Sequence, residues 1–144
     1  MTIIVTVMAV NTQFSIAVHL MAGLGCRCEG GVTSGELAQS VNTSASFVRR
    51  VLAKLSKAGL VETATGKAGS CWLVKKPEQI SLLDIYRAVD APKVFAIHAY
   101  PSEKSCRVSC NIKVALEKAL EKSQRAMEKS LGQMTLAEIL TELK

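Results

Sequence analysis

Little in this sequence suggests disorder or repetition. Its 144 residues include only three prolines, with no low-complexity run and no internal repeat. Apolar residues make up 49% of the chain, which is enough for a sizeable core and argues against global disorder. A chain of this length forms one compact domain, or one domain with an appended element.

Convincing targeting or membrane-spanning segments are also lacking. Residues 1–10 are apolar, but no basic residue precedes them, and Asn11, Gln13 and His19 interrupt the continuation; this is not the pattern of a signal peptide. No other stretch approaches the roughly 18 apolar residues that a spanning helix needs. We therefore expect a cytoplasmic protein without a membrane partner, in which Met8 is a candidate for the natural start.

Cysteine is present, but not in the pattern of a disulfide framework. The chain has five cysteines, an odd number without a convincing signal peptide, which argues against structural disulfides. Three interpretations stay open for them: inert buried thiols, a metal site or a redox sensor.

Positive charge is concentrated in one segment of the chain. Residues 44–76 contain seven Lys or Arg and one acid, which gives +6, while the remaining eleven cations and eleven acids cancel. A localised basic patch is typical of a protein that binds the phosphate backbone of nucleic acid. A merely solvated helix face is the alternative.

Two short helices are predicted here, the first just before the basic segment and the second within it. Thr33 and Glu36 have the spacing of a capping box at the start of the first helix. A turn at residues 42–43 follows, Ser44 can cap the second helix, and Gly59 can end it. Two short helices joined by such a turn predict a helix-turn-helix motif.

The second helix is amphipathic and offers candidate DNA contacts. An apolar stripe from Phe47 to Leu55 faces inward, which leaves hydroxyl and cationic side chains on the opposite side. Arginine can bridge guanine acceptors or bind phosphates, and a hydroxyl can do either. The candidate DNA-binding residues, of which Lys67 alone follows this helix, are Ser44, Ser46, Phe47, Arg49, Arg50, Lys54, Lys57 and Lys67.

A β-hairpin is predicted directly after the second helix. Residues 60–64 and 71–75 have the composition of strands, and the Gly-rich residues 66–70 form a turn. A hairpin at this point is typical of the wing of a winged helix, with Lys67 at its tip, although such a hairpin also simply closes a small domain.

The combined motifs resemble a known family. Residues 44–61 are SASFVRRVLAKLSKAGLV, a Gly-rich wing follows that ends at Trp72, and residues 77–90 are PEQISLLDIYRAVD. This order strongly resembles the Rrf-two family of bacterial transcriptional regulators over about residues 12–140. Its members include an iron–sulfur cluster regulator, a nitric-oxide sensor and a regulator of cysteine metabolism.

The resemblance implies a mainly α fold with a small β-hairpin wing and a long C-terminal dimerisation helix. We expect a winged helix-turn-helix domain at residues 8–90, a sensor-type loop at 91–111, and a dimerisation helix with a terminal helix at 112–144. A capping box at Thr135 and Glu138 predicts that terminal helix.

The long helix carries an apolar stripe that favours a homodimer. A small domain cannot cover such a stripe over about 20 residues, although packing against the chain's own first helix is an alternative. The stripe comprises Ile112, Leu116, Ala119, Leu120, Met127 and Leu131, and the pairs Lys113/Glu117 and Glu121/Arg125 lie on the other side.

The loop before this helix lacks the full cluster-binding motif of the family. Cluster-binding members carry three closely spaced cysteines there, whereas this chain has Cys106 and Cys110, with His98 as a possible further ligand. Two thiolates are too few for a cluster, and the segment is more similar to the YwnA-like branch, which lacks the motif. We expect no metal and no cofactor, and an iron–sulfur cluster stays as the alternative.

A thiol-redox or ligand-sensing role for Cys106 and Cys110 is the favoured interpretation of this loop. Lys104, Arg107 and a nearby helix N-terminus would favour a reactive thiolate at Cys106. The two cysteines could pair with each other or with a cysteine of a second subunit. Residues 26–28 form a Cys-x-Cys whose signal is weak, and Cys71 is more typical of packing.

These features predict a DNA-binding transcriptional regulator that acts as a homodimeric repressor on a palindromic operator of double-stranded DNA. One alternative is a regulator of the same class that senses through an iron–sulfur cluster. Two others belong to different classes: a protein-interaction adaptor that has lost DNA binding, and an enzyme that uses Cys106 with His98. The enzyme is disfavoured, because no orienting carboxylate accompanies that pair.

Overall fold

Six α-helices and a three-stranded sheet make up the part of the chain that can be described. A computed structural model describes residues 12–27, 30–64 and 69–143. In chain order the elements are α1 (Gln13–Gly25), β1 (Val32–Thr33), α2 (Ser34–Val41), α3 (Ala45–Lys57), β2 (Val61–Thr63), β3 (Ser70–Leu73), a 3₁₀ turn (Pro77–Gln79), α4 (Leu82–Ala88), α5 (Arg107–Gly132) and α6 (Leu136–Glu142).

Side-chain caps define the first helix of the helix-turn-helix. The Glu36 N–H donates to Thr33 Oγ1 at 3.1 Å, as the capping box predicts. The capping box also predicts that the Glu36 carboxylate accepts the Thr33 backbone N–H. The carboxylate instead forms an ion pair with Arg27, whose Nη1 lies 3.4 Å away. Asn42 ends α2 in the left-handed region, with φ of 67°, which asparagine tolerates better than most residues.

Predicted signals likewise set both ends of α3. The Phe47 N–H donates to Ser44 Oγ at 3.2 Å. Gly59 has φ of 80°, and the two amides after the helix donate back, from Gly59 to Ser56 O at 2.9 Å and from Leu60 to Leu55 O at 3.0 Å. This pair of bonds is a Schellman motif, which requires the left-handed conformation that glycine adopts without strain.

The wing is a three-stranded antiparallel sheet in the order β1-β3-β2. The predicted hairpin of β2 and β3 is confirmed, with Glu62 opposite Trp72. The sequence did not predict β1, which pairs Val32 with Cys71. Two residues are too few to show the alternation that identifies a strand.

The helices of the winged domain enclose one hydrophobic core. Leu20 of α1, Val51 and Leu55 of α3, and Ile85 of α4 are fully buried in it. Leu136 of α6 is also fully buried. The terminal helix therefore packs into the winged domain, whereas the sequence had grouped it with the dimerisation helix at residues 112–144.

Backbone hydrogen bonds fix α6 in that position. The Leu82 N–H donates to Met134 O at 2.9 Å, and the Leu136 N–H donates to Ile80 O at 2.8 Å. The Thr135 cap is confirmed, since the Glu138 N–H donates to Thr135 Oγ1 at 3.2 Å. Chain segments more than 50 residues apart are joined in this way, which periodicity alone cannot predict.

The long helix α5 begins earlier than expected. The sequence predicted a loop at 91–111 and a helix from 112, but α5 begins at Arg107, so Cys110 is helical. Its N-cap is Cys106, whose Sγ accepts the Ser109 N–H at 3.4 Å. Cysteine is not among the usual N-cap residues, so the residue pattern did not indicate that the helix begins here.

The 26 residues of α5 include none that is buried. Within the described ranges, no helix is both long enough and apolar enough to cross a membrane. The larger apolar side chains of α5, which are partly buried, are Leu116, Leu120, Met127 and Leu131. A second row of apolar side chains lies about a quarter turn away around the helix. We call it the small-residue stripe, and it comprises Val108, Ile112, Ala115, Ala119 and Ala126. All of these residues except Ile112 are exposed.

The two ion pairs predicted on α5 have different outcomes. Arg125 Nη2 lies 2.7 Å from Glu121 Oε1, as predicted. The Lys113 ammonium instead donates to the Tyr100 carbonyl, so the predicted pair of Lys113 with Glu117 is not formed. The loop preceding α5 thus returns alongside the helix and competes for Lys113.

Candidate nucleic-acid interface

The outward face of α3 presents most of the predicted DNA contacts. Val48, Val51 and Leu55 are fully buried on the inner face, and the helical period of 3.6 residues directs the intervening side chains outward. The candidates that are exposed on or beside this face are Ser44, Ser46, Arg49, Arg50 and Lys57.

Phe47 has a different environment from the other candidates. Its ring is partly buried, and the Arg50 guanidinium lies 5.4 Å from the ring centroid. A cation at this distance from an aromatic face is attracted by the ring quadrupole. Phe47 therefore packs against the core on one side and restrains Arg50 on the other.

Lys54 is also less available than its position on the helix suggests. The side chain is partly buried, and its ammonium donates to Gln13 Oε1 at 3.3 Å. This bond joins the last turn of α3 to the start of α1. Lys54 therefore adds positive charge near the face while it contacts another helix.

A groove separates α3 from the wing. Arg49 and Lys57 line it from the helix, and Thr63 and Gly69 line it from the wing. The hydroxyls of Ser34, Ser56 and Thr63, which sequence analysis did not select, also line this groove. They could not be predicted from the sequence, because they line the groove only once the wing packs beside α3, which is a tertiary contact. Lys67, the predicted contact at the wing tip, lies outside the described residues.

The single acid of the basic segment points away from this groove. Successive residues of a strand face opposite sides of the sheet. Thr63 and its partner Cys71 line the groove, so Glu62 and Trp72 lie on the other face. There the Trp72 indole N–H donates to Glu62 Oε2 at 3.2 Å, which keeps the carboxylate apart from the cations of α3.

The described cysteines, all of them free thiols, fall into two classes. Cys71 is buried beneath the wing, and this burial raises the pKa of its thiol, since the thiolate is poorly solvated there. Cys26, Cys106 and Cys110 are exposed. Cys28, the second residue of the Cys-x-Cys pair, lies outside the described residues.

Cys106 and Cys110 flank one tight turn at the start of α5. The Cys110 thiol donates to Glu103 O at 3.5 Å and approaches Lys104 O at 3.6 Å. The Glu103 N–H in turn donates to Ser109 Oγ at 2.7 Å. The predicted sensing cysteines are therefore brought together, at the junction between the loop and the helix.

Comparisons with known proteins agree on one family. The Rrf2 family model, described as an iron-dependent transcriptional regulator, matches residues 10–142. The HTH-type transcriptional regulator YwnA of Bacillus subtilis (strain 168) is 35% identical over 135 residues, which cover 93% of this chain and 98% of YwnA.

Solved structures share the fold. A transcriptional regulator from Lactobacillus plantarum superposes with a TM-score of 0.79 at 26% identity, over 92% of this chain and 89% of that chain. IscR of T. potens superposes with a TM-score of 0.68 at 24% identity, over 94% of this chain and 88% of that chain. The predicted winged-helix fold is confirmed.

The iron of the family description does not fit the donor set described here. His98, the third ligand considered, lies beside Tyr100, with ring centroids 6.4 Å apart. No three His, Cys, Asp or Glu side chains within residues 12–27, 30–64 and 69–143 are grouped so that they could hold one metal ion. A cluster needs several thiolate or imidazole ligands at one point, and the Cys106–Cys110 pair alone does not supply them.

Proposed function

The chain belongs to the Rrf2 family of transcriptional regulators, and from that premise we propose that it acts as a homodimeric repressor on a palindromic operator. Members of this family are DNA-binding regulators of transcription rather than enzymes. The observation that carries the proposal is the exposed basic face of α3 beside the wing groove.

Base reading falls to the N-terminal half of α3. Ser46, Arg49 and Arg50 are exposed there, and an α-helix fits the major groove of B-DNA. Arginine is the commonest reader of guanine because its guanidinium can bridge the O6 and N7 acceptors. The Phe47 ring restrains Arg50 and so lowers the entropy that this side chain loses on binding.

Phosphate contacts surround this reading surface. Ser44 and Lys57 lie at the two ends of α3, and Lys67 is the contact predicted from the sequence for the wing tip. These side chains would fix the position of the helix without carrying sequence information. Lys54 contributes its charge while its ammonium stays on Gln13 Oε1.

The dimer is proposed to form through the small-residue stripe of α5. Most of this stripe is exposed although it is apolar, and its three alanines allow two helices to approach closely. The larger apolar residues of α5 are partly buried, with Leu131 packed against the core of its own chain. Leu131 therefore contributes less to the interface than the sequence suggested.

A dimer of this kind sets the form of the operator. Two recognition helices related by a twofold axis read two inverted half-sites, whose centres lie roughly 34 Å apart, about one turn of DNA. A promoter occupied in this way is closed to other proteins that need the same grooves, which supports repression.

Thiol chemistry at Cys106 and Cys110 is the proposed input signal. Both side chains are exposed, and they lie where the loop of residues 89–106 joins α5. A change in the first turn of α5 alters the helix that would pair with the second subunit. To shift the equilibrium, the signal must favour one of the two states.

Fluorescence anisotropy with the chain's own upstream promoter DNA tests the proposal, at two salt concentrations and with or without reductant. Tight, sequence-selective and salt-sensitive binding is expected, since phosphate contacts release counterions. A dependence on reductant would support the thiol signal. Absence of binding at low salt in both redox states would contradict the proposal and favour an adaptor.

A further inference from the structure

We propose that Cys106 and Cys110 together chelate one soft monovalent cation of the Cu(I) class. The proposed function places the input signal at these two thiols, and the present inference names the ligand that they bind. It rests on that function only for its effect on DNA binding, because the chelation itself needs no DNA.

The spacing of the two cysteines is the first argument. The Cys110 N–H donates to Cys106 O at 3.0 Å, so the residues stand one helical turn apart. Side chains four apart on a helix have Cβ atoms about 5–6 Å apart, whereas a disulfide needs about 3.5–4.5 Å. A direct S–S bond would therefore require the first turn to unwind.

A bridging metal ion removes this mismatch. Metal–thiolate bonds of about 2.3 Å allow an ion in linear coordination to span two sulfurs up to about 4.6 Å apart. A disulfide holds its two sulfurs about 2.05 Å apart. One turn of helix is thus better matched to two thiolates with an ion between them than to an S–S bond.

Both sulfurs also face the same turn of backbone. Cys106 Sγ accepts the Ser109 N–H at 3.4 Å, and Cys110 Sγ lies 3.5 Å from Glu103 O. The two contacts are linked, because the Glu103 N–H donates to Ser109 Oγ. Since both thiols are exposed, an ion can reach them without a change of fold.

Charge and donor number select the class of cation. Chelation breaks two S–H bonds, releases two protons to solvent and forms two metal–sulfur bonds, which leaves a complex of net charge −1 for a monovalent ion. The partial positive charge of a helix N-terminus stabilises an anion there, and Lys104 and Arg107 lie close to Cys106 in the sequence, one on each side of it.

The chemistry of the donors excludes the commoner alternatives. Thiolates select soft ions such as Cu(I), whereas structural zinc takes four ligands. No third His, Cys, Asp or Glu completes a group in the described part of the chain. A two-coordinate ion is therefore favoured over zinc.

Anaerobic titration of the full-length reduced protein with Cu(I), against a chromophoric Cu(I) chelator, tests the inference. The titration uses a variant in which Cys26 and Cys28 are replaced by Ser, so that the Cys-x-Cys pair cannot contribute. We expect one Cu(I) per chain, and we expect this binding to be lost when Cys106→Ser or Cys110→Ser is introduced into that variant. Zn(II) should bind more weakly than Cu(I), because two thiolates leave its four-ligand shell incomplete. Cys106→Ser keeps an oxygen N-cap, and circular dichroism verifies its fold.

The outcomes separate this inference from the proposed function. No Cu(I) bound in the Cys26/Cys28 variant, or binding that survives Cys106→Ser, overturns the chelate, whatever the DNA affinity. Chelation with no change in operator affinity in the anisotropy assay keeps the site and removes its regulatory role. Chelation by a protein that binds no DNA contradicts the proposed function alone.

Discussion

Gln124 of α5 donates through Nε2 to the Tyr86 hydroxyl of α4 at 2.9 Å, and that hydroxyl donates to Pro92 O at 2.8 Å. Gln124 Oε1 accepts the Val94 N–H at 3.1 Å. Two side chains thus join the winged domain, the loop and the long helix. A change in the conformation of the loop would therefore alter contacts with both the winged domain and the proposed dimer helix.

Tyr86→Phe should destabilise the protein. Tyr86 is only 9% exposed, so removal of its hydroxyl leaves Pro92 O and Gln124 Nε2 without this partner. We expect a loss of about 1–2 kcal/mol in the free energy of unfolding, measured by urea denaturation. Tyr100→Phe is the matched control, because Tyr100 is 77% exposed and should change little. Equal losses in both variants would contradict the role of the network.

Gly59→Ala should be destabilising for a reason that contacts do not reveal. A Cβ at Gly59 would meet no atom within 4 Å, but φ is +80° there, and left-handed backbone costs a residue with a Cβ about 1–2 kcal/mol. Gly35→Ala is the control, because Gly35 lies in α2 and a Cβ would only touch Thr33 Oγ1 at 3.8 Å. That substitution should be neutral or stabilising by up to about 1 kcal/mol. Thermal unfolding of both variants distinguishes strain from crowding.

Local signals account for what could be predicted from sequence. The caps at Thr33, Ser44 and Gly59 are bonds between residues three to five apart, so their spacing is visible in the chain. The amphipathic period of α3 likewise identified its exposed face.

Long-range contacts account for what could not be predicted. The Lys54–Gln13 bond joins residues 41 apart, and Leu136 is buried by helices distant in sequence. Periodicity also cannot tell which apolar row of α5 packs on its own chain, since both rows are apolar at helical spacing. The apolar stripe predicted from the sequence therefore included Leu131, which packs against the core of its own chain.

Arg49→Ala and Lys57→Ala should weaken DNA binding in different ways. Loss of a base-reading arginine should cost about 1–3 kcal/mol on the chain's own operator and much less on unrelated DNA. Loss of a phosphate contact at Lys57 should weaken binding to all sequences alike and reduce the salt slope by about 1. Anisotropy titrations over several salt concentrations measure both quantities.

Lys118→Ala serves as the control for the DNA-binding variants. It removes an exposed cation from α5, far in sequence from α3, and should leave affinity and salt slope unchanged. If Arg49→Ala lowered affinity equally for operator and unrelated DNA, Arg49 would be a phosphate contact and not a base reader.

Cys71 should make stability depend on pH in the alkaline range. Burial raises the pKa of its thiol, so the unfolded chain releases this proton at a lower pH than the folded protein does. The contribution of Cys71 is fully present below the ordinary thiol pKa of about 8.5, and is lost as pH rises through the higher folded pKa. Denaturation of the native chain and of Cys71→Ala, at about pH 7 and about pH 10, isolates it. A native chain that loses no more stability than the variant would contradict the prediction.

Ala119→Arg should dissociate the proposed dimer without unfolding the chain. Ala119 is exposed at the centre of the small-residue stripe, where two facing arginines would separate closely packed helices and repel each other. We expect the dimer dissociation constant to rise at least about 100-fold, measured by analytical ultracentrifugation. Because DNA binding by two half-sites depends on the dimer, affinity for the palindrome should fall while affinity for a single half-site is retained.

Val114→Arg is the matched control for this interface. Val114 is 57% exposed and lies on α5 about a third of a turn outside the stripe, so the same change of size and charge should leave the dimer intact. Dissociation by both substitutions would place the interface across a wider face of α5. Dissociation by Val114→Arg alone would place the interface away from the small-residue stripe, and the exposure of that stripe would then need another explanation.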